Sequence, residues 1–313
     1  MERPDLERRR AERRQRTRRR RVLVLSVVGV VAVAGVATAG VMMAGGWSAA
    51  EPAPTAQAPA YRQPTTASPA PEPEPAVSST TASAATTAPT GESPQRIRPP
   101  VPGPGTVITE GPKSAGRKVA LTIDDGTCAS CVDRILDVVE RTGGKVTLFP
   151  NGVYAGSWEP QAKRIRALID KGQVTLGNHT YSHQVSTQIG PTAFGADLQR
   201  NEDWIQRTFK VTGRPWFRPP YGDRNAAIDA AAGQRGYRKV IMWSGTVADS
   251  QPRSEGYILD AIDYWARPGS IILMHANYPA TGKALPKILR MLERKGLEPV
   301  TLQELLAGDP QAR

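Results

Sequence analysis

The chain has 313 residues with 41 Lys and Arg against 29 Asp and Glu, a net charge of +12, and only three His and two Cys. Two cysteines cannot staple a disulfide-framework fold, while 39% hydrophobic residues over this length supply at least one sizeable core. The positive excess does not by itself mark a nucleic-acid binder, because more than half of it lies at one end.

That end is a basic tail, residues 1–21, with eleven arginines against four acids. Residues 22–45 carry no charge at all. About 23 residues at ~1.5 Å each reach ~35 Å, enough to cross a hydrocarbon core. Basic residues directly before an apolar span keep that side in the cytoplasm. The expectation is a single-pass membrane segment or signal anchor over 22–45, with the tail cytoplasmic and everything after it extracellular. The arginines are then topogenic, and nucleic acid is not an expected partner. Small residues at Ala37-Thr38-Ala39 leave cleavage and a secreted form as the alternative, but the apolar run exceeds an ordinary signal core. Residues 46–105 are rich in Pro, Ala, Thr and Ser, with Pro-Glu-Pro-Glu-Pro at 71–75, a composition expected to form a disordered, extended stalk.

Residues 106–308 have the texture of a folded domain. Strands are expected at 118–123, 145–149, 174–176, 216–217, 239–243, 270–274 and 299–301. Helical patterns lie between them at 132–142, 159–171, 193–208, 224–235, 255–265 and 283–295. Such alternation predicts a parallel sheet in the α/β class, closed into a distorted (β/α) barrel of seven or eight strands, with an open doubly wound sheet as the alternative. No glycine-rich phosphate loop follows the first strand, which argues against a nucleotide site.

The polar residues that call for explanation stand directly after those strands: Asp124-Asp125-Gly126, Asn178-His179-Thr180-Tyr181-Ser182-His183, Arg218-Pro219-Pro220-Tyr221-Gly222, Asp249 and His275. Singly they read as a turn, a loop or a core histidine. Together they include every histidine of the chain, and a barrel gathers the C-terminal ends of its strands at one mouth. His179 and His183, four apart, share a face if the segment forms a helical turn, and one aspartate of the pair completes a two-His, one-carboxylate metal site. The other aspartate is free to act as a base, held by Arg218. His275 suits a general acid, its tautomer set by Asp249. The combination reads as metal-assisted hydrolysis.

These segments, with Leu273-Met274-His275, resemble the ordered motifs of the polysaccharide deacetylases, carbohydrate esterase family 4 with its NodB homology domain. The resemblance covers about residues 115–308. It implies a divalent metal, most often zinc with cobalt or manganese as substitutes, on Asp125, His179 and His183. It also implies Asp124 as base, the Tyr221 backbone N–H at the oxyanion, and His275 as acid, with Asp249 and Arg218 as their supports. The implied activity is removal of N-acetyl groups from N-acetylglucosamine polymers of the cell wall, peptidoglycan first and chitin-like oligomers second. An acetylxylan-type O-deacetylase and a non-catalytic wall-binding pseudoenzyme are the alternatives.

The chain departs from the pattern in three ways. Ile123 stands for the usual Phe. Thr246 and Ser250 stand for an Asp and for the Trp that walls the acetyl pocket. Cys128-Ala-Ser-Cys131 follows the aspartates; outside the cytoplasm this spacing is expected to form a local disulfide, with free thiols or a metal or redox role as the other readings. Neither oligomeric state nor the exact sugar follows from the sequence.

Overall fold

The computed structural model describes residues 95–307. The basic tail, the expected membrane span and most of the stalk lie outside the described residues. Within them no helix is long and apolar enough to cross a membrane.

The strands are β1 Thr106–Ile108, β2 Lys118–Asp125, β3 Val146–Pro150, β4 Val174–Leu176, β5 Trp216–Phe217, β6 Lys239–Ile241, β7 Gly245–Thr246, β8 Ile271–His275 and β9 Glu298–Val300. Six longer helices alternate with them: α1 Ala129–Thr142, α2 Ala162–Asp170, α3 Ser186–Phe209, α4 Ala226–Gln234, α5 Glu255–Trp265 and α6 Pro279–Arg294. Every named ladder is parallel, as helical crossovers require. The expected elements are all present, while β1 and β7 were not expected. α3 begins seven residues before the pattern at 193, and Gly190, at φ 78, with Pro191 kinks it after its first turn, so the regular periodicity shows only beyond that kink.

The strands form two sheets, β4-β3-β2-β8-β7 with β9 on β2, and β1-β6-β5. A parallel bridge between Asn178 and Phe217 joins the edge of β4 to β5. On the other flank the chain passes from β6 to β7 through residues 242–244, where Ser244 N–H donates to Ile271 O at 3.0 Å. The fold is therefore the expected α/β architecture with its ring of ladders interrupted. The interruption falls where strands are only two or three residues long, and Pro215, Pro219 and Pro220 around β5 have no N–H to extend a ladder.

Hydrophobic alternation builds two layers. Val119, Leu121 and Ile123 of β2 pack outward against Val132, Ile135, Leu136 and Val139 of α1. Ala120 turns inward with Phe149, Trp216, Ile241 and Ile271. A third cluster seats Phe194 and Leu198 of α3 and Ile228 of α4 on Phe217 and Val240. Each of these large apolar side chains contributes about 1.5–3 kcal/mol on burial. Cys128 and Cys131 are joined in a disulfide, Cα–Cα 5.2 Å, as expected, at the first turn of α1.

Asn178 ties the sheets together. Its backbone N–H donates to Trp216 O at 2.9 Å and its carbonyl accepts from Arg218 N–H at 3.0 Å. Its buried amide donates to Leu198 O and to Tyr237 Oη, and its Oδ1 accepts from Thr180 N–H and from Asn201. Tyr237 Oη in turn donates to Glu202, which is fully buried and also holds Thr212, Gly213 N–H and Arg214. Asn178→Ala removes four side-chain bonds and orphans buried donors and acceptors. It is expected to lower stability by about 2–4 kcal/mol, read as a lower urea midpoint at unchanged slope.

Candidate active site

The strand ends carry the polar residues to one mouth. Alternation along β2 aims Thr122 and Asp124 inward, where both accept from Arg218 Nη1, at 2.8 and 2.9 Å. Continued alternation would aim Asp125 away from them. Instead Asp125 adopts φ 68, and its carbonyl accepts from Trp158 Nε1 at 2.8 Å. Gly126 follows at φ 105, and a Cβ there would stand 2.2 Å from Trp158 Nε1, so only glycine fits. Adjacent carboxylates thus serve different sides of one site.

His179 and His183 lie on an irregular loop, not the helical turn that would put i and i+4 on one face. Thr180 at φ 64 and His183 at φ 54 curl the loop in the left-handed region. The rings come to a centroid separation of 5.0 Å. Asn151 holds the loop through the carbonyls of His179 and Thr180, and Asp197 takes the N–H and hydroxyl of Ser182. Six non-glycine residues of the described chain have positive φ, and five of them, Asp125, Thr180, His183, Tyr221 and Ala248, belong to these loops. Strain of this kind persists where surrounding contacts over-determine the backbone.

Three donor atoms converge. Asp125 Oδ1 lies 3.4 Å from His179 Nε2 and 3.2 Å from His183 Nε2. Ligands held 2.0–2.1 Å from one tetrahedral ion stand about 3.3 Å apart, so the residues fit a divalent cation. Asp125 Oδ1 is also buried without a hydrogen-bond partner, the condition of a ligand atom rather than of a structural carboxylate. His179 Nδ1 lies 2.7 Å from Arg218 O, which only accepts, so Nδ1 carries a proton and Nε2 faces the site. Burial and the neighbouring His179 charge push His183 down to about 4, keeping it a neutral donor at physiological pH. Burial pushes Asp125 upward, but the adjacent His179 and His183 imidazoles outweigh this and hold it below the usual carboxylate range.

The remaining candidates surround this triad. Arg218 is fully buried, donates from Nε to Ile241 O and from Nη2 to Met242 O, and lies 4.5 Å from the Phe149 ring centre. Asp124 Oδ2, the oxygen Arg218 leaves free, stands 3.7 Å from His179 Nε2. His275 is the register partner of Asp124 across β2 and β8. Its Nδ1 lies 2.8 Å from Asp249 Oδ1, while Asp249 Oδ2 accepts from His275 N–H and Thr281. Burial lowers the His275 imidazolium pKa, but the Asp249 bond and the Asp124 charge outweigh it and raise it above the ordinary value. Tyr221 is 69% exposed, with its ring 4.6 Å from that of His183. All eight residues singled out by sequence share this mouth. Thr246 Oγ1 accepts from Ala248 N–H at 3.0 Å, the local turn bond an aspartate would make, and Ser250 is exposed.

Asn277 was not foreseen. Its Nδ2 donates to Asp125 Oδ2 at 2.7 Å, and its Oδ1 accepts from Gly126 N–H, Thr127 N–H and the Thr127 hydroxyl. It therefore fixes which Asp125 oxygen faces the histidines. Its signal was weak but present, a polar residue two positions past the end of β8. Asn277→Ala is expected to weaken metal binding by about 10- to 100-fold, measured by competition with a chromophoric chelator, while the metal-free melting temperature stays near wild type.

A family profile described as polysaccharide deacetylase matches residues 111–240, a segment that holds every candidate except Asp249 and His275. The chain is 28% identical over 202 residues to the peptidoglycan-N-acetylglucosamine deacetylase PgdA of Listeria monocytogenes, covering 63% of this chain and 41% of that protein. It thus spans about two fifths of the curated relatives it matches first. Among solved structures, the family 4 carbohydrate esterase of Streptomyces lividans in complex with acetate superposes with a TM-score of 0.52 at 30% identity, covering 59% of this chain and 92% of that one. A mutant of BA3943, a family 4 pseudoenzyme from Bacillus anthracis, with restored activity gives 0.57 at 26%, covering 64% and 71%. Residues 111–240 thus carry a polysaccharide deacetylase domain of the carbohydrate esterase family 4 type.

Proposed function

We propose that this protein is a metal-dependent deacetylase of cell-wall polysaccharide, acting on N-acetylglucosamine units of peptidoglycan, and that its 22–45 segment anchors it with the catalytic domain outside. The observation that carries the catalytic reading is the orphaned Asp125 oxygen facing two histidine nitrogens, with Asp124 and His275 as neighbours on adjoining strands. The wall as substrate is supported by the Listeria relative and by a basic domain suited to an anionic polymer.

Asp125, His179 and His183 would hold the cation, zinc by the nature of these donors. Once bound, it supplies Lewis-acid polarisation of the acyl carbonyl and acidifies water. Asp124 acts as base through Oδ2, because Oδ1 is committed to Arg218. Arg218 keeps that carboxylate aimed, and its bonds to Thr122, Ile241 O and Met242 O prevent it from swinging away. His275 gives the departing amine its proton from Nε2, since Asp249 pins the Nδ1 side. The N–H of Tyr221, on its left-handed turn beside His183, donates to the developing oxyanion.

The acid must be protonated to work, so activity persists until pH rises through the raised His275 value. Asp249→Asn removes the leading cause of that rise. It is therefore expected to cut kcat and move the alkaline limb of the kcat profile to lower pH; an unmoved limb assigns the acid elsewhere. The overall test is acetate release by metal-replete protein from peptidoglycan, chitooligosaccharides and acetylxylan, with and without chelator. Release from the glucosamine polymers that stops with chelator is the expected result. Release from acetylxylan alone selects the O-deacetylase, and no release from any substrate selects the pseudoenzyme.

A further inference from the structure

At the N-terminal ends of β5 and β6, facing away from the catalytic mouth, lies a second cavity of about 430 Å³. Its lining includes Arg96, Arg98, Arg214 and Arg238, and no carboxylate. Among the described residues Arg96, Arg98 and Arg238 have no ion-pair partner. Arg214 alone is committed, to Glu202, Gln199 and Arg235 O. By contrast, Arg164 at the surface of α2 gathers Asp133, Asp137 and Glu140. Like charges collected around one concavity repel one another unless an anion joins them.

The cavity is built rather than incidental. Gln95, 9% exposed, ties segment 95–101 to the sheet, its amide donating to Leu176 O and Thr212 O and its Oε1 accepting from Leu176 N–H. Arg238 Cδ occupies the place a side chain at Gly103 would take, 2.8 Å from that position. Gly236, at φ 84, lets the stem of Arg214 approach Pro100 and Val101. The packed stem of Arg238 and the bonds of Arg214 hold two of the guanidinium heads at fixed points, so less entropy is lost on binding.

We infer that this cavity is a binding site for a phosphate-bearing polyol or sugar, separate from the catalytic centre. Guanidinium groups arrive from three chain segments. A tetrahedral phosphate offers an oxygen toward each, whereas a planar carboxylate accepts within one plane. Trp216 and the flanking prolines give an apolar floor for the carbon skeleton. Occupied by a phosphate-containing polymer, the site would hold the domain on its matrix while the opposite mouth works. The inference does not depend on the deacetylase reading.

The test is calorimetric titration of the full chain, wild type and R96Q/R98Q/R238Q, at physiological salt. The probes are sn-glycerol 3-phosphate, inorganic phosphate and gluconate. The basic N-terminal tail is common to both proteins, so the difference isolates the cavity. The expected result is glycerol phosphate bound tighter than gluconate by wild type and at least tenfold weaker in the variant, with equal melting temperatures and equal acetate release. Equal affinity in the two proteins, gluconate bound as tightly, no phosphate bound at millimolar concentration, or inorganic phosphate bound in preference to glycerol phosphate would each overturn it.

Discussion

The buried ion pair between Arg218 and Asp124 is the contact on which the site depends. It spans the interior from the end of β5 to the end of β2, and so links the two sheets. Neither group reaches solvent to any extent. Removing one partner would leave an uncompensated charge, at a cost of about 3–5 kcal/mol. Arg218 is satisfied by Thr122, Ile241 O and Met242 O, and it lies against Phe149. Its backbone is committed as well, with its carbonyl on His179 Nδ1 and its N–H on Asn178 O. One residue therefore orients Asp124, fixes the tautomer of His179 and closes the seam between sheets.

Around that pair the backbone separates two neighbouring carboxylates. Asp124 obeys strand alternation and points into the interior. Asp125 breaks it with a left-handed turn stabilised by Trp158 and Asn277. Two adjacent acids thus acquire different environments, one paired with an arginine and the other facing imidazoles. The positive-φ residues mark where local preference yields to this arrangement, and the bonds from Asn151, Asn178 and Asp197 hold it there.

The eight chemical residues were legible because each stands at the end of an apolar run, and parallel α/β topology gathers such ends. Helices with strong periodicity were legible for the same reason; 255–265 coincides with α5. Other features left little trace. β1 and β7 are two or three residues long and, unlike the other short strands, are not set off from the next or preceding strand by a helical pattern. The helical turn expected for His179 to His183 is a loop because Asn178 pairs with β5 and Thr180 turns left-handed, interactions that depend on Phe217 and Asn201 far along the chain. Asn277, Thr281 and Asn151 are ordinary polar residues in sequence, and only the fold brings the first two against Asp125 and Asp249 and the third against the His179 and Thr180 carbonyls. Thr246 looked like a lost aspartate, yet its hydroxyl makes the turn bond that the position requires.

The central claim is a division of labour between Asp125, which faces the metal, and Asp124, which moves the proton. Measuring metal content and acetate release on one preparation of Asp124→Asn tests it most directly. The account predicts one divalent ion per chain, as in wild type, with acetate release lower by several orders of magnitude. Acetate release at the wild-type rate, or loss of the metal together with activity, would contradict it.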